Sequence, residues 1–160
     1  MDTNSSAPET IGSSMTSAHP DDELRAWAAG DKGREAATEL LIRTSLANAD
    51  EPWILHDTGW GVYAVDYDRA LHGRTGLTSA DLAILTLAAA LAEGTHISIR
   101  HIAQQLDYEH ARHALTAIAH AAGSHDFSDV IVDLNGQATI IRESSLFPWD
   151  DDVPAGGVRD

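Results

Sequence analysis

Thr78 and Asp81 stand three residues apart, and the run that follows, Leu82 to Ala92, holds no charged residue. The pair is the Asp variant of a capping box, in which each side chain satisfies a backbone donor that a helix start leaves orphaned. Leu77 and Leu82 occupy the two positions of a hydrophobic staple around it. A helix therefore begins here. Because nothing between Asp81 and Glu93 is charged, that helix is apolar around most of its circumference and needs neighbours on several sides to be stable. The rest of the chain has to wrap it. With 160 residues the chain is long enough to do so around one core. The apolar run is too short to span a bilayer, which removes membrane insertion from the expected functions.

The flanking sequence supplies the wrapping elements. Residues 1–19 are rich in Ser, Thr and Pro and are expected to form a disordered tail, because they hold too few large apolar groups to offset the entropy of ordering. Pro20 with Asp21, Asp22 and Glu23 opens a helix whose inner face is Leu24 and Trp27 and which Gly30 ends. A second helix is predicted over Gly33 to Ala47, where Ala36, Ala37, Leu40, Leu41 and Thr44 recur at helical spacing and Glu39 precedes Arg43 by one turn. These two make a helical hairpin. Trp53 to His56 and Trp60 to Val65 then read as a small β-hairpin around Asp57, Thr58 and Gly59, with Trp53, Trp60 and Tyr63 as anchors. Asp66 caps a short helix, Tyr67 to His72, closed by Gly73.

Beyond the central helix, which Gly94 ends, Ser98 caps a short helix with Ile99, Ile102, Ala103 and Leu106 at i, i+3, i+4 and i+7. Asp107 caps the next, running to Ala122 and stopped by Gly123, with Ala111, Ala114, Leu115, Ile118 and Ala122 as its expected inner stripe. Val130 to Leu134 and Gln137 to Ile141 flank Asn135 and Gly136, a strong signal for a two-residue hairpin turn.

This order of helix, helix, turn, helix and β-hairpin over Leu77 to Arg142 resembles the winged-helix branch of the helix-turn-helix superfamily. The resemblance rests on Ile102, Ala103 and Leu106, a turn at Asp107, Leu115 and Ile118, and the Asn135–Gly136 hairpin as the wing. It implies that the helix after Asp107 is the recognition helix, with His110, Arg112, His113 and Thr116 facing a partner. The expected fold is thus α+β and mostly helical. It comprises a helical hairpin, a small β-hairpin, then a winged-helix-like three-helix unit with a C-terminal β-hairpin. Residues 20–149 form a single globular domain containing a winged-helix-like subdomain at 77–142, and 150–160 form a disordered acidic tail.

Charge separates the functions such a scaffold can serve. The chain carries 10 Lys plus Arg against 25 Asp plus Glu, a formal charge of −15. Within Leu77 to Glu143 the acids Asp81, Glu93, Asp107, Glu109, Asp126, Asp129, Asp133 and Glu143 outnumber Arg100, Arg112 and Arg142. A duplex reader draws affinity from cations that displace counterions, so this balance argues against phosphate contact. There is no cysteine, hence no disulfide and no thiolate metal site, and no GxSxG elbow, Walker loop or GxGxxG fingerprint is present. Asp57, Thr58 and Gly59 resemble the short motif of aspartic proteases, but one triplet in a helical chain reads as an ordinary hairpin turn. Glu109, His113 and His120 are expected on a solvent-facing stripe, and one helix face offers too few close ligands for a metal centre. No metal and no cofactor are expected.

The C-terminal Leu146, Phe147, Pro148 and Trp149, followed by Asp150, Asp151 and Asp152, resemble the acidic, apolar tip by which bacterial single-stranded DNA-binding proteins recruit partners. The residues allow two outcomes: Phe147 and Trp149 pack back on the domain, or they form a linear motif. The function the sequence supports best is that of a cytoplasmic, noncatalytic accessory or regulatory protein acting through contacts with another protein. His110, Arg112, His113, Thr116, Phe147 and Trp149 are its candidate partner-binding residues. A DNA-binding transcriptional regulator on the same scaffold is the alternative, and an enzyme comes third.

Overall fold

A computed structural model of the chain describes residues 19–57, 62–72, 76–142 and 144–149. The expected tail at 150–160, residues 1–18 of the one expected at 1–19, the hairpin turn at Thr58 and Gly59, and the roles given to Trp60 and Gly73 lie outside the described residues; His19, placed in the first tail, instead caps a helix. Within them the protein is α+β and mostly helical, with six α-helices and two separate two-stranded antiparallel hairpins. None of these helices is long and apolar enough to cross a membrane.

Helix α1, Pro20–Ala28, starts on the sequence's own signals: His19 is the N-cap, Pro20 sits in the first turn, and Asp21, Asp22 and Glu23 follow at the positive end of the dipole. It buries Leu24 and Ala28, while Trp27 is only partly buried under the Arg34 guanidinium. Helix α2, Lys32–Arg43, begins at Asp31, whose carboxylate accepts from the Arg34 amide at 3.0 Å. It stops four residues before the expected Ala47. Ser45 turns left-handed at φ 60°, and the Leu46 amide reaches back to the Leu41 carbonyl at 2.8 Å, a Schellman-type ending. The reversal drops Leu46 and Ala47 into the core and aims the Leu46 carbonyl at the Trp53 indole N–H, 2.8 Å away. Burial of that tryptophan outweighs the remaining helical propensity.

Strands β1, Ile54–Asp57, and β2, Val62–Val65, pair from Ile54↔Val65 to Asp57↔Val62, and β2 leans on α1. Helix α3, Tyr67–His72, follows, with the Asp66 carboxylate accepting from the Arg69 amide at 2.9 Å. Helix α4, Ser79–Glu93, carries the full capping box: the Asp81 amide donates to Thr78 Oγ1 at 3.1 Å and the Thr78 amide to Asp81 Oδ2 at 2.9 Å. It buries Ala80, Ala83, Ile84, Leu85, Leu87, Ala88 and Ala89, and Gly94 ends it left-handed at φ 70°.

The core sits where α2 crosses α4 and the longer C-terminal helix α6, Tyr108–Ala121, the two most extensive helix contacts of the molecule. Small residues make the crossing close. A Cβ on Gly33 would clash with the Leu91 carbonyl oxygen, so α2 packs this closely on α4 because that position is glycine. Before α6, helix α5, Ile99–Ala103, is a short segment that buries Ile102, while Ile99 and Ala103 of its predicted stripe face solvent.

After α6 a 3₁₀ turn, Ser124–Asp126, leads to β3, Ser128–Val132, which pairs with β4, Ala138–Arg142. The strands are displaced from the predicted pair, and the turn is not a two-residue one. Only Gly136 has positive φ, at 80°, and the Asp133 amide bonds the Gln137 carbonyl at 3.0 Å across Leu134, Asn135 and Gly136. The Asp133 carboxylate accepts from the Asn135 and Gln137 amides, each at 2.8 Å, and so favours a three-residue loop with a glycine bulge over the tighter turn.

Candidate functional site

Helix α6 is rotated relative to the orientation its large residues suggest. Its buried positions are Ala114, Thr116, Ala117 and Ala119, whereas Leu115 and Ile118, the expected inner residues, are 49% and 41% exposed. Alanine explains the rotation. Ala114 and Ala117 approach a bundle in which Ala36 and Ala37 of α2 are also fully enclosed, and small side chains let helix axes approach closely. Leu115 and Ile118 are left on the outer side of the helix.

This rotation redistributes the candidate residues. Thr116, expected to face outward, is buried, and its hydroxyl donates to the Arg112 carbonyl at 3.1 Å. His110 is half-buried between two carboxylates: its Nδ1 lies 2.8 Å from Asp107 Oδ1 and its Nε2 3.6 Å from Asp81 Oδ1. The His110 backbone and ring N–H groups donating to Asp107 hold that carboxyl below its ordinary range. His110 therefore tethers α6 to the start of α4. His113 also turns inward, with its ring centroid 6.5 Å from that of Trp149, and is not part of a solvent-facing stripe. Arg112 does face outward, paired along the helix with Glu109 at 3.1 Å.

The C-terminal segment splits the two outcomes open to it. Ser145 lies 3.1 Å from Ser124, hydroxyl to hydroxyl, and brings the chain back across the bundle. Trp149 packs on the domain and is 6% exposed, beneath the Arg43 guanidinium at 4.9 Å and beside His113 and His120. As a buried residue it is not the exposed partner contact expected of it. Its indole Nε1 finds no hydrogen-bond acceptor among the described residues. Phe147 instead remains 49% exposed and Leu146 73%.

Two recesses flank Trp149. One, of about 480 Å³, is lined by Arg25, Glu35, Glu39, Arg43 and His120 together with the apolar Ala28 and Trp149. Glu39 receives two bonds from Arg25, at 2.8 and 3.2 Å, and one from Arg43 at 2.6 Å. Burial raises the Glu39 carboxyl, but these bonds outweigh it and leave the group below its ordinary value. His120 stacks on His125 at 4.0 Å with its Nε2 3.7 Å from Glu35; burial, then the neighbouring His125, lowers its pKa. The sequence shows the Glu39–Arg43 pairing but not that Arg25 closes it from a second helix.

The other recess is a groove of about 540 Å³ between the outer side of α6 and Leu146–Trp149, lined among others by Tyr108, Leu115 and Phe147. It combines exposed apolar and aromatic side chains with one charged group, Arg112. Such a surface can bury a partner's apolar side chain and orient it through one guanidinium. Tyr108, Leu115 and Leu146 were not among the candidates read from the sequence. The available signal was the row of alanines, which marks the close-packing side of α6. Among the described residues no group of three or more His, Asp or Glu gathers as a metal site. No family model, curated protein or solved structure matches the chain.

Proposed function

We propose that this is a noncatalytic, cytoplasmic accessory or regulatory protein that works through contact with another protein, using the groove beside α6. The observation that carries the reading is the outward placement of Leu115, which lines the groove with Tyr108, Leu146 and Phe147, while Ile118 is also exposed on α6. Apolar surface gathered in this way favours a protein partner over water. A winged-helix scaffold is the second part of the proposal, supported by the order α4, α5, α6, β3, β4. On that scaffold the outer face of α6 presents Leu115, Ile118 and an Arg112 already paired with Glu109, a poor phosphate reader but a serviceable protein contact.

A photo-crosslinking amino acid at Leu115 or Phe147, expressed in the native host, tests the reading. A discrete adduct with one protein, absent when the crosslinker is at exposed Asp68 on α3, is the expected result. No adduct at either position, together with duplex DNA retention that falls on Arg112→Ala, would replace it with the DNA-binding alternative.

A further inference from the structure

Two histidines meet where the C-terminal segment returns to the bundle. His120, in the last turn of α6, and His125, in the 3₁₀ turn that follows, stack ring on ring with centroids 4.0 Å apart. The Trp149 ring lies 6.4 Å from that of His120, and Ser145 is tied at 3.1 Å to Ser124, the residue before His125. The pair therefore sits beside both attachments of residues 144–149. Trp149 is the one buried residue of that segment, and its packing leaves the indole N–H without an acceptor among the described residues. A segment anchored mainly by one aromatic side chain, itself short of a hydrogen bond, belongs to the low-stability end of a fold.

The surroundings oppose charge on this pair. An imidazolium donates through both ring nitrogens. His125 Nδ1 is shut off from solvent and has no hydrogen-bond partner among the described residues, so a proton there would be an orphaned donor. Two stacked cations also repel. The carboxylates that face the pair are largely committed elsewhere. On α2, Glu39 accepts from Arg25 of α1 and from Arg43, and Glu35, 3.7 Å from His120 Nε2, accepts from the Gly30 amide at 2.8 Å. Asp126, 3.6 Å from His125 Nε2, holds Lys32 at 2.6 Å and Arg142 at 3.7 Å. His113 also faces Trp149, at 6.5 Å, and the Arg43 guanidinium covers it at 4.9 Å. Burial, then His125, accordingly lowers the His120 pKa against the opposing Glu35 and Glu39.

We infer that residues 145–149 are an acid-released latch: protonation of the His120–His125 stack frees Trp149 from the bundle and removes one wall of the α6 groove. With the latch released, water reaches both rings, and each imidazole takes its proton near the ordinary value of about 6.5. Protonation of the stack and packing of Trp149 therefore oppose one another. Each pH unit over which a released ring is protonated and the packed one is not shifts the opening equilibrium about tenfold. Leu146, Phe147, Pro148 and Trp149 line the groove, so its contact with a partner is made at neutral pH and lost in acid. That consequence rests on the groove reading above, whereas the release itself does not.

Hydrogen exchange of the indole N–H groups, followed by NMR in the isotopically labelled full chain from about pH 7.5 to about pH 5 and referred to free indole at each pH, tests the release. The Trp149 signal is identified by its absence in Trp149→Phe. Its protection is expected to fall about tenfold or more across this range, whereas Trp53, bonded to the Leu46 carbonyl at 2.8 Å in the core, keeps its own. The Glu39 carboxyl, held below its ordinary value, stays charged meanwhile. The double variant His120→Gln, His125→Gln is expected to keep Trp149 protected throughout. Should it not fold, either single replacement removes the like-charge stack and is expected to reduce the loss of protection. Constant protection of Trp149 in the wild type overturns the inference, and so does loss of Trp53 protection in step with it, which marks global unfolding. A release that persists without the two histidines overturns it too, and its disappearance in His113→Gln would move the switch to that ring. A pH-insensitive Trp149 together with a crosslinked adduct at Phe147 leaves the groove reading standing without its switch.

Discussion

Replacing Glu39 by alanine is the most informative single perturbation, because this carboxylate ties α1 to α2 and supports the arginine that covers Trp149. Side-chain exposure is 13% for Glu39, 17% for Arg43 and 45% for Arg25. Removing one partner of a fully buried ion pair costs about 3–5 kcal/mol, whereas an exposed pair contributes about 0–1 kcal/mol. Glu39 is nearly enclosed but one of its cations is half in water, which places the expected loss at about 2 kcal/mol. For a domain of this size that is a fall of roughly 8 °C in Tm. The pH dependence gives an independent check. The folded-state value of Glu39 is depressed, so its contribution is full above the unfolded carboxylate range and is lost as pH falls through the folded value. His120 acts in the same direction at higher pH. Its folded value is also lowered, by burial and then by His125 against the opposing Glu35 and Glu39, so stability declines as pH falls below the ordinary imidazole value of about 6.5. Thermal denaturation followed by circular dichroism, repeated from pH 7.5 down to about 4, should show Glu39→Gln losing the lower-pH component and keeping the upper one. A Tm within about 2 °C of wild type for Glu39→Ala, with an unchanged pH profile, would show that solvent screens the triad and that it holds nothing together.

The remaining expectations concern the helices and the alternative function. Thr78→Ala should cost about 1 kcal/mol by removing the acceptor of the Asp81 amide, and an unchanged urea midpoint would contradict the cap. Leu85→Ala should cost roughly 2–5 kcal/mol whereas Leu115→Ala costs less than about 1 kcal/mol; equal losses would reverse the assigned orientation of α6. Gly33→Ala should destabilise by about 1–3 kcal/mol despite alanine's better helix propensity, because its Cβ meets the Leu91 carbonyl; a gain in stability would remove that contact. In an anisotropy titration at physiological salt, duplex DNA should bind weakly with a shallow salt slope, about 0.9 per phosphate contact. Tight binding that weakens on Arg112→Ala would favour the regulator.

What the sequence determined by itself was local. The capping box at Thr78 and Asp81, the Ser98 and Asp107 caps and the glycine end at Gly94 are properties of a few adjacent residues and their backbone donors. The charge-free run of α4 also required burial whatever its neighbours were, and no residue from Leu82 to Ala92 is exposed. The end of α2 was different: Leu41 to Ala47 reads as continuing helix, and only the demand of the Trp53 indole for the Leu46 carbonyl decides the turn at Ser45. The facing of α6 was equally a tertiary decision. Periodicity assigned the inside to Leu115 and Ile118 because they are large, but close contact with α2 selected Ala114 and Ala117. Burial of Trp149 and exposure of Phe147 two residues earlier follow from the same arrangement, since only Trp149 reaches the gap between Arg43 and the histidines of α6. A short sequence encodes which backbone groups its own side chains can satisfy. It does not encode which of two usable faces another helix occupies first, and that choice determines which side chains are left at the surface for a partner.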